Sequence, residues 1–284
     1  MFKKLTNRFI VLITISGLAF CTSKAQERIV TFDEYHIHIK ETGKGKPAVI
    51  IEAGLGSGYD AYDTLHTAIT PLTKVVSYDR PGLGESSKSP NPRTLPNYVN
   101  ELRLLLHKEN IDAPYILVGH SLGGLIMRYY AHTYPNEVAG LVLIDCIPDG
   151  WFNYLISTHP KEEIEKLNKV INPELNNSKG VIKAEWQEFQ KNCELIKGIQ
   201  LLKYIPIRVI TAIQYGEDQK ALGYHPEDMQ VWAQMQANFM SNSTNANQII
   251  TDKSGHSVQL TEPELIIDAI KELVEIYRKD YNNN

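Results

Sequence analysis

Ala48-Val49-Ile50-Ile51 is an unbroken, largely β-branched apolar run set between the turn Gly43-Lys44-Gly45-Lys46-Pro47 and Glu52. A strand with one solvated face would alternate apolar with polar residues; this run does not. It reads as a strand buried on both faces, which demands a sheet covered by helices on either side. His36–Thr42, Lys74–Tyr78, Tyr115–Val118, Ala139–Ile144, Arg208–Ala212 and Gln248–Thr251 are further strand candidates. Between them apolar residues recur at helical spacing: Leu95, Val99, Leu102 and Leu106, then Leu122, Leu125, Ile126 and Tyr129. A closing segment, Pro263–Arg278, places Leu265, Ile266, Ile270, Leu273 and Ile276 on one side of an amphipathic helix. Strand and helix alternating in this order predict an α/β fold, with a mostly parallel central sheet and helices on both faces.

The alternation lapses only between about Pro148 and Pro206, in a stretch rich in Lys, Glu and Asn that also carries Trp151, Phe152, Tyr154, Trp186 and Phe189. So long a stretch is not expected to be structureless inside a compact domain. It is expected to be a helical lid insertion, about 148–206, over the carboxyl ends of the strands. The 284 residues otherwise fit one large α/β domain, 26–284.

The first residues are of another kind. Lys3, Lys4 and Arg8 precede the apolar run Phe9–Phe20, and Ser23-Lys24-Ala25 offers small residues at the −3 and −1 positions before Gln26. This is the pattern of a secretory signal peptide over 1–25, with export to the periplasm or medium. The apolar run is too short to span a bilayer comfortably, so no stable membrane span is expected after cleavage. A lipoprotein site at Cys21 is disfavoured by the bulky Phe20 before it. The net charge of −4 becomes −8 once Lys3, Lys4, Arg8 and Lys24 leave with the signal, and no basic cluster remains to bind nucleic acid. Two cysteines stay, Cys146 and Cys193; an oxidising compartment permits a disulfide, but simple burial of Cys146 beside an apolar strand is the preferred reading.

Chemistry concentrates in three places. Gly119-His120-Ser121-Leu122-Gly123 directly follows one strand candidate and directly precedes a helix. A serine at such a turn projects its hydroxyl clear of the backbone, and the flanking glycines permit a tight turn and close helix packing. Ser121 is the candidate nucleophile. Glu52-Ala53-Gly54-Leu55-Gly56-Ser57-Gly58 follows the Ala48–Ile51 strand. Acyl transfer needs two N–H donors aimed at an oxyanion. The backbone of Leu122 is one candidate and that of Leu55 the other. Ser254-Gly255-His256-Ser257 lies between the last strand and the last helix. A serine needs a base within hydrogen-bond reach. Of nine histidines only His256 combines a late loop position with a preceding glycine. No His, Glu or Cys cluster shows metal-ligand spacing, so neither metal nor organic cofactor is expected.

These motifs resemble the α/β-hydrolase superfamily from about Phe32 to Tyr277. Tyr78-Asp79-Arg80-Pro81-Gly82-Leu83-Gly84-Glu85-Ser86 is similar to a turn of that family in which the aspartate and arginine tie a loop near the site. One departure is Ala53, where relatives often carry histidine. The resemblance implies a serine hydrolase of the esterase-like branch (EC 3.1.1), acting on a small-molecule ester or amide through a covalent acyl-enzyme. Amide, aminopeptidase or C–C hydrolysis, and a non-catalytic ligand-binding receptor on the same fold, stay open. It also implies a triad acid. In most relatives that residue follows the strand after the lid, but the usual offset from Arg208–Ala212 falls on Tyr215; Glu217 and Asp218 come later. Some relatives place it one strand after the nucleophile, where Asp145 closes Leu141–Ile144. Asp145 is the candidate acid, with Asp218 as the alternative.

Overall fold

The computed structural model describes residues 26–167 and 178–282. The expected signal segment lies outside the described residues. Eight strands form one sheet: β1 (Gln26–Thr31), β2 (His36–Thr42), β3 (Ala48–Glu52), β4 (Val75–Tyr78), β5 (Tyr115–His120), β6 (Val138–Ile144), β7 (Ile207–Ala212) and β8 (Ala246–Thr251). Their spatial order is β1-β2-β4-β3-β5-β6-β7-β8. Strands β3 to β8 run parallel, and β1 and β2 add an antiparallel edge. Strand β1 escapes a sequence reading because its pattern is mostly polar and only Val30 within it is buried.

The helices are α1 (Asp63–Ile69), α2 (Leu95–Lys108), α3 (Leu122–Thr133), α4 (Trp151–Thr158), α5 (161–167), α6 (Gly180–Ile196), α7 (Glu217–Ala221), α8 (Pro226–Ala237), α9 (Val258–Thr261) and α10 (Pro263–Asn282). Successive strand residues point to opposite faces, and each face has its own core. Ile50, Leu117, Leu141 and Leu143 pack against α2 and α3. Val49, Ile51, Val118, Val142 and Ile144 pack against α1 and α10. Each such side chain contributes roughly 1.5–3 kcal/mol on burial, so the continuous apolar runs of the central strands fix the layers. Among the described residues no helix is long and apolar enough to cross a membrane.

Between β6 and β7 the described residues are largely helical, in α4, α5 and α6. Phe189 and Ile196 of α6 enter the core above the sheet, whereas Trp151, Leu155 and Leu167 form a separate small cluster with Trp232. Trp232 belongs to α8, which follows β7. Two chain segments separated by a strand therefore share one apolar cluster over this end of the sheet.

Candidate active site

Strand β5 ends at His120 and α3 begins at Leu122, leaving Ser121 alone at the turn with φ 53° and ψ −117°. This is a sparsely populated conformation for a residue with a Cβ, kept only where the surroundings over-determine it. The surroundings do so here. Ser121 N–H donates to Ile144 O at 3.0 Å, and Gly124 N–H donates to Ser121 O at 3.0 Å. A Cβ at Gly119 would stand 2.4 Å from Gly123 O, and one at Gly123 would stand 2.4 Å from Glu52 O. The two motif glycines are thus required by close backbone approach.

Asp145 is the residue after β6 and also sits at positive φ, 40°. Its Oδ2 lies 2.7 Å from His256 Nδ1. The other oxygen, Oδ1, accepts from Trp232 Nε1 at 2.8 Å, Ala212 N at 3.2 Å and Gln236 Nε2 at 3.3 Å. An ionised carboxylate only accepts, so Nδ1 of His256 carries the proton and a neutral ring keeps its lone pair on Nε2. The carboxylate bonded to His256 is that of Asp145. Glu217 instead pairs with Lys220 at 2.7 Å and is exposed on α7. Asp218 lies on the same helix; its side chain is outside the described residues.

The loop after β3 is held from three directions. Arg80 donates to Ala53 O at 2.6 Å and to Gly54 O at 2.7 Å, turning both carbonyls toward the guanidinium. The same group bonds Glu52 Oε1 at 2.7 Å and Glu185 Oε1 at 2.8 Å. Glu185, on α6, also accepts from Gly56 N at 2.8 Å. Gly54 N–H donates to Tyr62 Oη at 3.2 Å, and Ser57 N–H to Gly54 O at 3.2 Å. Leu55 therefore stands between two residues whose amides are anchored elsewhere, and Leu122 stands at the first position of α3, whose N-terminus favours negative charge. Burial pushes the Glu52 carboxyl above its ordinary range, against the pull of Arg80 and Tyr78. Asp79 accepts from Tyr59 N at 3.0 Å and Glu85 N at 3.2 Å, so it ties loops together.

His120 joins the two halves of the site. Its ring lies 4.6 Å from that of His256, and burial lowers its pKa to about 3, so it is neutral. Nε2 lies 2.8 Å from His256 O, a pure acceptor, and must carry the proton. Nδ1 then accepts from Tyr62 O–H at 2.8 Å. One directed chain runs from Gly54 N–H through Tyr62 and His120 to the backbone of His256. Tyr62, Glu185, Trp232 and Gln236 were invisible to sequence reasoning, since nothing in their spacing distinguishes them from neighbours of the same type. His120 was at least within a motif. Cys146 and Cys193 are not bridged; burial pushes both thiols up to about 12.

A serine elbow at the carboxyl edge of a parallel sheet covered on both faces is the arrangement of the α/β-hydrolase fold. The chain has that fold, and its residues 47–175 match the family described as alpha/beta hydrolase fold. It is 26% identical over 246 residues to the uncharacterized protein YqjL of Bacillus subtilis (strain 168), covering 86% of this chain and 90% of that one. Among solved structures it is similar to a putative lipase from Acinetobacter baumannii AYE, with TM-score 0.62, 20% identity, and coverage of 90% of this chain and 93% of that one. A thermophilic esterase from Thermogutta terrifontis gives TM-score 0.60 at 19% identity, covering 89% and 99%.

Proposed function

We propose that the protein is an exported serine hydrolase that cleaves an ester-type carbonyl substrate through a covalent acyl-enzyme. Ser121 Oγ attacks the carbonyl carbon while His256 Nε2 takes its proton. Asp145 keeps the imidazole in the required tautomer and stabilises it when charged. The N–H groups of Leu55 and Leu122 stabilise the oxyanion. Collapse expels the alcohol, which takes the proton from His256, and water repeats the cycle on the acyl group. The helices over the strand ends act as a lid, and the names of the putative lipase and the esterase that share the fold favour an ester substrate. The observation that carries this reading is the 2.7 Å bond between His256 Nδ1 and Asp145 Oδ2, at the strand end beside Ser121.

The test is labelling with a fluorophosphonate, read by intact mass. One adduct per chain is expected, absent in Ser121→Ala; folded protein that takes no label would instead be a ligand-binding receptor. A panel of acyl esters and aminoacyl amides of graded length then separates esterase from amidase. Export is tested on the same sample: the recovered protein should begin at Gln26, and an intact residue 1–20 segment or a lipid on Cys21 would refute the signal reading.

A further inference from the structure

His159 follows the last residue of α4. Thr158 donates its hydroxyl proton to Tyr154 O at 2.7 Å, so its oxygen accepts from His159 Nδ1–H at 3.0 Å. A neutral His159 then turns the lone pair of Nε2 toward Asp228 Oδ2, only 2.9 Å away. Two lone pairs at that separation repel, so a positive charge must lie between them: a proton or a metal ion. Asp228 is 1% exposed, and its other oxygen accepts from Tyr154 O–H at 2.8 Å. The ring of His225 stacks on that of His159 with centroids 4.5 Å apart, and its Nε2 lies 3.1 Å from Glu163 Oε2. Among the described residues no lysine or arginine forms an ion pair with Asp228 or Glu163. Without a metal, His159 must be protonated while a neutral His225 donates its Nε2–H to Glu163; one divalent cation would take the place of both protons.

We propose that His159, His225, Asp228 and Glu163 form a binding site for a divalent transition-metal ion of the zinc type. One ligand atom from each of His159, His225 and Asp228 lies within 4.8 Å of the others. Zinc bonds of about 2.0–2.1 Å in a tetrahedron set neighbouring ligand atoms about 3.3 Å apart. The 2.9 Å and 3.1 Å separations need to open by only a few tenths of an ångström. Thr158 on His159 and Tyr154 on Asp228 are the outer partners that orient such ligands. Sequence spacing hides the site because its ligands come from the end of α4, from α5 and from the start of α8. An ion there staples these segments together. Asp228 lies four residues, about 6 Å along the helix, before Trp232, whose indole holds Asp145.

The experiment titrates zinc chloride into untagged, chelator-treated protein, by calorimetry and by competition with a chromophoric chelator. One zinc per chain is expected, with a thermal midpoint several degrees higher at saturation. His225→Ala should weaken binding beyond the roughly 10–100-fold that an outer-shell change costs. The milder Glu163→Gln should weaken it less while leaving the far-ultraviolet dichroism unchanged, and His132→Ala, at an exposed histidine, should leave affinity as it was. Absence of stoichiometric zinc, or wild-type affinity in both His225→Ala and Glu163→Gln, overturns the proposal and leaves a protonated His159 as the charge facing Asp228.

Discussion

Asp145 shows how one residue is made specific to a task. Its backbone is forced to φ 40°, and Oδ1 takes three N–H donors from β7's end and α8, leaving Oδ2 to His256. The position was legible as the end of an apolar strand. The partners were not, because they arrive from 67 to 91 residues further along the chain. Asp145→Asn preserves shape but places an amide where Nδ1–H needs an acceptor. It should lower kcat by roughly 10³–10⁴-fold, the scale of a neutralised triad acid, with a smaller change in KM. Steady-state ester hydrolysis measures this. A loss of similar size in Asp218→Asn with Asp145→Asn near wild type would move the acid to α7.

At the scale of elements, the loop carrying Leu55 is a junction between the turn after β4 and helix α6. Arg80 is 1% exposed and Glu185 fully buried, so their pair is not screened by water. Removing one partner from an isolated buried pair costs about 3–5 kcal/mol, and because Glu52 stays bonded to Arg80 the loss of Glu185 costs less than that. Glu185→Gln should therefore lower the thermal midpoint. It should also lower kcat by about 10–100-fold through a displaced loop, the scale of a donor misplaced by about 1 Å. Kinetics on protein shown to be folded separate the two effects; an unchanged kcat would mean that Arg80 alone sets the loop. The central strands and the helices α2, α3 and α10 were legible because burial writes a periodicity. The junction was not: Glu185 is one of many acidic residues in its segment, and only the fold brings it to Arg80.

For the whole molecule, two of the buried histidines, His66 and His120, contribute to the response to acid. His66 bonds Thr42 and Ser77, each at 2.7 Å, and burial lowers its pKa to about 4, as it lowers that of His120 to about 3. Unfolded, both titrate near pH 6.5, so the unfolded chain holds up to two more protons between those limits. Stability is full above about pH 6.5 and falls as pH drops, by about 1.4 kcal/mol per pH unit for each ring. The loss due to His66 ends near its folded value of about 4, and that due to His120 near about 3. Urea unfolding at several pH values between neutral and about 5 should show this slope; a flat profile would require both rings to be charged in the folded state. The sequence displayed these histidines only as members of a strand-flanking helix and of the elbow. Their neutrality is a property of the assembled layers.

The bond from Trp232 Nε1 to Asp145 Oδ1, 2.8 Å long, has an optical consequence. Indole emission responds to charge near its ring nitrogen, and this indole touches the carboxylate that faces His256. Trp151 lies edge-on to it at 4.8 Å and Trp186 stands apart on α6. Replacing those two by phenylalanine would leave Trp232 as the single tryptophan, wired to the site. Its intensity during a stopped-flow turnover would record the filling and emptying of the proposed acyl-enzyme in real time, with no dye attached.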